Sequence, residues 1–142
     1  MALLATAYAD AATVAQNVTA FAESILGTGT VRSVRTLDDD RQVLIRWESP
    51  SYREGDELSI ARQRIHGEAL LVTGVVLARL PQVTRIRFTI LHGNRLLATG
   101  QSERGRQTSI VFSATLGKGP PSTPPGDVEP YYRQPGGEIQ EL

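Results

Sequence analysis

The strongest constraint on this chain is an apolar stripe of helical period that continues for about seven turns. From Asp56 to Leu80, the residues Leu58, Ala61, Ile65, Ala69, Val72, Val76 and Leu80 recur at three- and four-residue steps, which marks one buried helical side. Asp56 is the expected N-cap. Pro81 ends the helix, because the residue before a proline is pushed out of the helical region. A helix this long must cover another apolar layer. Directly after it, Ile86, Phe88 and Ile90 alternate with Arg85, Arg87 and Thr89, the period of a half-buried strand. Helix on sheet is the architecture this implies.

The remaining elements agree. Tyr8, Ala11, Val14, Val18, Phe21 and Ile25 predict a first helix from about Thr6 or Ala7 to Leu26, closed by Gly27 at the position where a left-handed residue terminates helices. Two strands come next, Val31–Leu37 and Val43–Glu48, around a solvated turn at Asp38-Asp39-Asp40-Arg41. After the third strand the hairpin turn His92-Gly93-Asn94-Arg95 leads into Arg95–Gln101, and Thr108–Leu116 reads as a last strand. The expected fold is an α+β two-layer sandwich. It has an antiparallel sheet of four or five strands, two helices on one face, and the order α-β-β-α-β-β-β.

Gly67 and Gly74 sit inside the second helix, two turns apart on one side. Each costs up to about 1 kcal/mol relative to alanine. Close approach of another backbone, from the first helix or a partner chain, is the expected compensation. Residues 1–116 form one domain of ordinary size. Residues 117–142 begin Gly-Lys-Gly-Pro-Pro-Ser-Thr-Pro-Pro-Gly and read as a Pro/Gly-rich tail, extended or disordered unless docked.

Composition narrows the function classes. Fifteen Lys and Arg balance fifteen Asp and Glu, so the basic excess that drives phosphate binding is missing and nucleic acid is disfavoured as a partner. Lys118 is the sole lysine, an arginine bias typical of a GC-rich bacterial genome. With no cysteine, a disulfide framework, an iron–sulfur site and a thiol nucleophile are excluded. No run of eighteen apolar residues suggests a membrane span. Met1-Ala-Leu-Leu-Ala lacks a basic n-region, so the default expectation is cytoplasmic. An extracytoplasmic site would apply if a leader or anchor had been removed.

No motif assigns a catalytic residue, a cofactor or a metal. The Asp38–Asp40 run lacks the spacing of a calcium loop. Gly27-Thr28-Gly29 comes after a helix, and Gly117-Lys118-Gly119 runs into two prolines, so neither cradles phosphate. Asn17-Val18-Thr19 is an incidental sequon. His66 and His92, the only histidines, read as surface or partly buried; acid–base work would need His66 beside Glu68 or Asp56.

The arginines of the strands remain. Arg46, Arg85 and Arg87 occupy the phase opposite the apolar one and project from the sheet face away from the helices, with Arg32 or Arg35 beside them. Leu44, Leu91 and Leu97 share that face, and such a mixture suits a protein interface. Tyr131 and Tyr132, together with the Pro121–Pro124 PxxP pattern, suggest that the tail docks. The interface residues expected are therefore Arg46, Arg85, Arg87, Leu91, Tyr131 and Tyr132. They belong to a non-enzymatic interaction or assembly module, a small bacterial accessory subunit that associates with itself or with a larger complex. The competing expectation is a small-ligand binder or enzyme with a pocket between helices and sheet.

Overall fold

The computed structural model describes residues 12–116. Its first helix, α1, is Val14–Leu26. Sequence periodicity puts the start near Thr6, but a capping box fixes it at Thr13. The Thr13 hydroxyl accepts from the Gln16 amide at 3.0 Å, and the Gln16 side chain accepts from the Thr13 amide at 2.9 Å. Two otherwise unpaired donors are satisfied reciprocally. Tyr8 and Ala11 lie outside the described residues. At the other end Gly27 adopts φ 111° and donates to the Glu23 carbonyl. Val18, Ala22 and Leu26 are buried, whereas Ile25, expected in the stripe, is exposed.

Helix α2, Leu58–Arg79, buries Ala61, Ile65, Ala69, Val72 and Val76. The expected cap, Asp56, instead takes Arg64 at 2.6 Å, and Leu58 at the helix start is exposed. The C-terminal carbonyls are met from far along the chain. Arg104 donates to the carbonyls of Leu77, Leu80 and Val83 at 2.7–3.1 Å, a guanidinium fork closing a helix end.

Five strands, β1 Val31–Leu37, β2 Gln42–Glu48, β3 Arg85–His92, β4 Arg95–Glu103 and β5 Ser109–Phe112, form one sheet in chain order. The pairs are antiparallel except β2–β3, which is parallel. This corrects a wholly antiparallel expectation, and the reason is α2: a helical crossover carries the chain back to the end where β2 began. The last strand is also shorter than expected. After Phe112 the chain makes a 3₁₀ turn, Ala114–Leu116, whose Leu116 is fully buried.

Register puts Val43, Ile45 and Trp47 beside Ile86, Phe88 and Ile90. Phe88 and Ile90 in turn face Gly100 and Ala98. Trp47 and Phe88 stack with centroids 5.8 Å apart. All six β2 and β3 side chains are at most 2% exposed beneath the helices. Gly100 is dictated by this packing. A Cβ there would stand 2.2 Å from the Ser109 carbonyl oxygen and 2.4 Å from the Phe88 ring. The three aspartates of the β1–β2 turn have φ of 57°, 53° and 66°, a left-handed run that aspartate tolerates better than most residues.

Gly100→Ala is expected to destabilise the domain by about 1–3 kcal/mol, the usual penalty for overpacking a filled core. Urea unfolding measures this, and an unchanged midpoint would contradict the packing described.

Candidate interaction face

Both helices lie on one side of the sheet, so the other side is built from the alternate residues of each strand. One row crosses all five strands, Arg35–Leu44–Arg87–Gln101–Ser109. The neighbouring row is Ser33–Arg46–Thr89–Thr99–Val111. The β2–β5 part of this face borders a shallow concavity of about 510 Å³, lined by Leu44, Arg85, Arg87, Phe88, Thr89, Thr99, Gly100, Gln101, Ser109 and Val111.

Arg35, Arg46 and Arg87 are exposed and make no hydrogen bond or ion pair with another described residue. Arg85 is different. Its Nη2 and Nε donate to Glu103 Oε2 at 2.6 and 3.2 Å, and these hydrogen bonds hold the Glu103 carboxyl below the ordinary carboxylate range. Arg85 is thus a neutralised wall between the concavity and a second depression of about 560 Å³ at the strand ends, lined by Asp38, Gln42, Thr84, Glu103, Arg104 and Arg106.

Of the expected interface residues, the fold brings Arg85 and Arg87 to the concavity and places Arg46 at its flank, across from Thr89. Leu91 lies further along β3, half-buried and paired with Glu48 and Leu96. Tyr131 and Tyr132 lie outside the described residues. Leu97 does not belong to this face. A bulge pairs Ile90 with Ala98 but Leu91 with Leu96, and the extra residue, Leu97, is fully buried in the core. Of the two alternatives Arg32 and Arg35, it is Arg35 that pairs with Leu44 on this face, and Thr99, Gln101 and Ser109 join it unannounced. Their alternation is visible in the sequence, but the strand pairing that sets them beside Leu44 and Arg87 is not.

Other candidate chemistry is already engaged. Glu68 is buried, yet its Oε1 accepts from Trp47 Nε1 at 2.9 Å, and its Oε2 accepts from Ser49 Oγ at 2.6 Å and from the Ser51 amide and hydroxyl. Asp56 is held by Arg64, so both carboxylates considered for acid–base work with His66 are committed to other partners. His92 sits edge-on to Tyr52, between Glu48 at 3.8 Å and Glu54 at 3.9 Å. Among the described residues no three His, Asp or Glu converge as a metal site. The helix–sheet interface, where the competing ligand pocket was expected, is filled by Val18, Ile45, Ile65, Val72 and Phe88, each at most 2% exposed.

Gly67 and Gly74 do not receive α1. A Cβ at either would enter open space, and they flank the exposed Leu70 and Leu71 on the outer side of α2. No described helix is long and apolar enough to cross a membrane. No protein-family model, curated protein or solved structure matches the chain.

The stability of the domain is expected to decline with acid over two pH ranges. Burial lowers the His66 pKa from 6.5; the unfolded chain then takes up a proton first, and stability falls as the pH drops below that value. Glu103, lowered from 4.5 by Arg85, contributes a second decline below that point. In Glu48 burial alone would raise the pKa, but the Gly93 amide and Arg32 outweigh it and the net shift is also downward from 4.5, so it adds to the same decline. Thermal melts across pH 3–8 check this: His66→Gln should flatten the first decline and Glu103→Gln the second. Unchanged profiles in both variants would contradict it.

Proposed function

We propose that this domain is a non-enzymatic interaction module, a small accessory subunit that docks a protein partner on its open sheet face. The observation that supports this reading most directly is a set of exposed arginines without a partner among the described residues, Arg87 in the concavity with Leu44 and Arg35 and Arg46 beside it on the same face, which no described helix covers. Guanidinium forks beside an aliphatic floor suit a segment carrying carboxylates and apolar side chains. The aromatic residue that lines the concavity, Phe88, is only 2% exposed and stacks on Trp47 in the core, so it offers no open platform of the kind that single-stranded nucleic-acid sites use.

Size narrows the partner. With strands about 4.8 Å apart and a rise of about 3.3 Å per residue, five strands of about seven residues cover roughly 19 by 23 Å. That is about half of the roughly 800 Å² a stable globular interface takes from each side. An extended segment fits such a face better than a folded surface does.

Light scattering after size exclusion, together with co-purification from the native host, tests this on the full chain and on an Arg46→Glu/Arg87→Glu variant. The full chain should run as an assembly, with itself or with a partner, that the double variant loses while its circular dichroism is unchanged. A strict monomer that retains nothing the double variant does not also retain would overturn the proposal.

A further inference from the structure

We infer that the open edge of the sheet, strand β1, takes an acidic extended segment of another protein, which pairs with it as a further strand beside the arginine face. The inference rests on the reading of that face as a docking surface and names the chemistry and binding mode of what docks there.

The two edges of the sheet differ. β5 has four residues, and Ile110, Val111 and Phe112 are all buried. Beyond it the chain folds into the 3₁₀ turn, where Arg62 Nε holds the Leu116 carbonyl at 2.9 Å. β1 has seven residues, of which Arg32, Ser33, Arg35 and Leu37 are exposed. Its main chain is also left open. At the end of β2 the Glu48 amide donates to Thr30, on the β1 side, and the Ser49 amide donates to Leu91 of β3. Main-chain directions alternate along a strand, so Leu44 and Arg46 turn toward β1, where they pair with Arg35 and Ser33. The N–H and C=O groups of Val34 and Thr36 therefore point out of the sheet, and no described residue meets them. At the head of the same edge the Val31 amide is met by a carboxylate, that of Glu23, at 3.1 Å.

Charge selects the occupant. Arg35 stands on the edge strand itself, and Arg46 lies one strand in, behind the small Ser33. Neither has a partner among the described residues. A strand laid about 4.8 Å outside β1 sets alternate side chains opposite Ser33 and Arg35, where carboxylates come within reach of both guanidinium groups. A second copy of β1 would instead bring arginines up against arginines, a pairing that destabilises a sheet, and charges of this kind guard an edge against self-association. An acidic segment turns the same guard into a recognition element: main-chain hydrogen bonds supply affinity, and alternate side chains supply specificity.

The test titrates the isotope-labelled full chain with the acetylated, amidated peptide Thr-Glu-Val-Glu-Val-Glu-Thr and with its counterpart carrying arginine in place of glutamate. The acidic peptide should shift the amide signals of Val34 and Thr36 and slow their hydrogen exchange several-fold. The effect should weaken at high salt, as exposed charge contacts do, and the arginine peptide should produce neither change. Thr36→Pro removes an outward N–H while sparing the β1–β2 ladder and should abolish binding, whereas Thr36→Val keeps the amide and should bind as the native chain does. Arg35→Glu should weaken the acidic peptide several-fold with circular dichroism unchanged. Strand addition is overturned if the peptide leaves Val34 and Thr36 undisturbed, if the shifts centre on Ser109–Phe112, or if the two peptides act alike. If Arg46→Glu/Arg87→Glu loses assembly while β1 never responds, the docking surface stands and strand addition fails. A response at β1 in a chain that forms no assembly upholds strand addition and overturns the docking of a native partner.

Discussion

Packing of α2 against the β2–β3 pair is the interaction on which the other features depend. Ala61, Ile65, Ala69, Val72 and Val76 cover Trp47, Phe88 and their neighbours, and each large aliphatic side chain so buried contributes about 1.5–3 kcal/mol. Because α2 is also the connection between those strands, the same contact makes β2 and β3 parallel and places them side by side within the sheet. With α1 packed beside α2, one side of the sheet is used up. The opposite side, with its arginines, is what remains.

A polar clasp gives that packing its register. Glu68 lies in the helix–sheet interface and accepts hydrogen bonds from Trp47, Ser49 and Ser51. A buried carboxylate is tolerated only with such partners, and here the partners tie the end of β2 and the loop after it to the middle of α2. The residue that looks most available for acid–base chemistry thus serves as a structural acceptor. Arg104 plays the matching part at the other end of α2, where its fork meets three carbonyls. Both contacts join residues distant in sequence, and neither leaves a local signature.

The same distinction separates the features legible in the sequence from those that are not. Helical and strand periodicity reveals the element order and the opposite phase of Arg46, Arg85 and Arg87, because both depend only on neighbours along the chain. The start of α1 is misplaced by periodicity because Thr13 and Gln16 cap a helix whose apolar repeat continues upstream. Leu97 is misplaced because a single-residue bulge reverses the face of the residues beyond it. Arg85 differs from Arg87 only because Glu103 lies opposite it across β3–β4, and that pairing is a tertiary fact. The open space beside Gly67 and Gly74 likewise requires the fold.

The functional reading reduces to an asymmetry: one face of the sheet is filled, and the other carries arginines without a partner among the described residues around a small apolar floor. The most direct measurement compares arginines by mass spectrometry after reaction of the native full-length protein with a dicarbonyl reagent. Arg41, Arg46, Arg53 and Arg87 are all exposed in the described fold, so an empty face would let them react alike. If the face is occupied, Arg46 and Arg87 will be modified several-fold more slowly than Arg41 and Arg53. Equal rates at all four would contradict the assignment of this face as a binding surface.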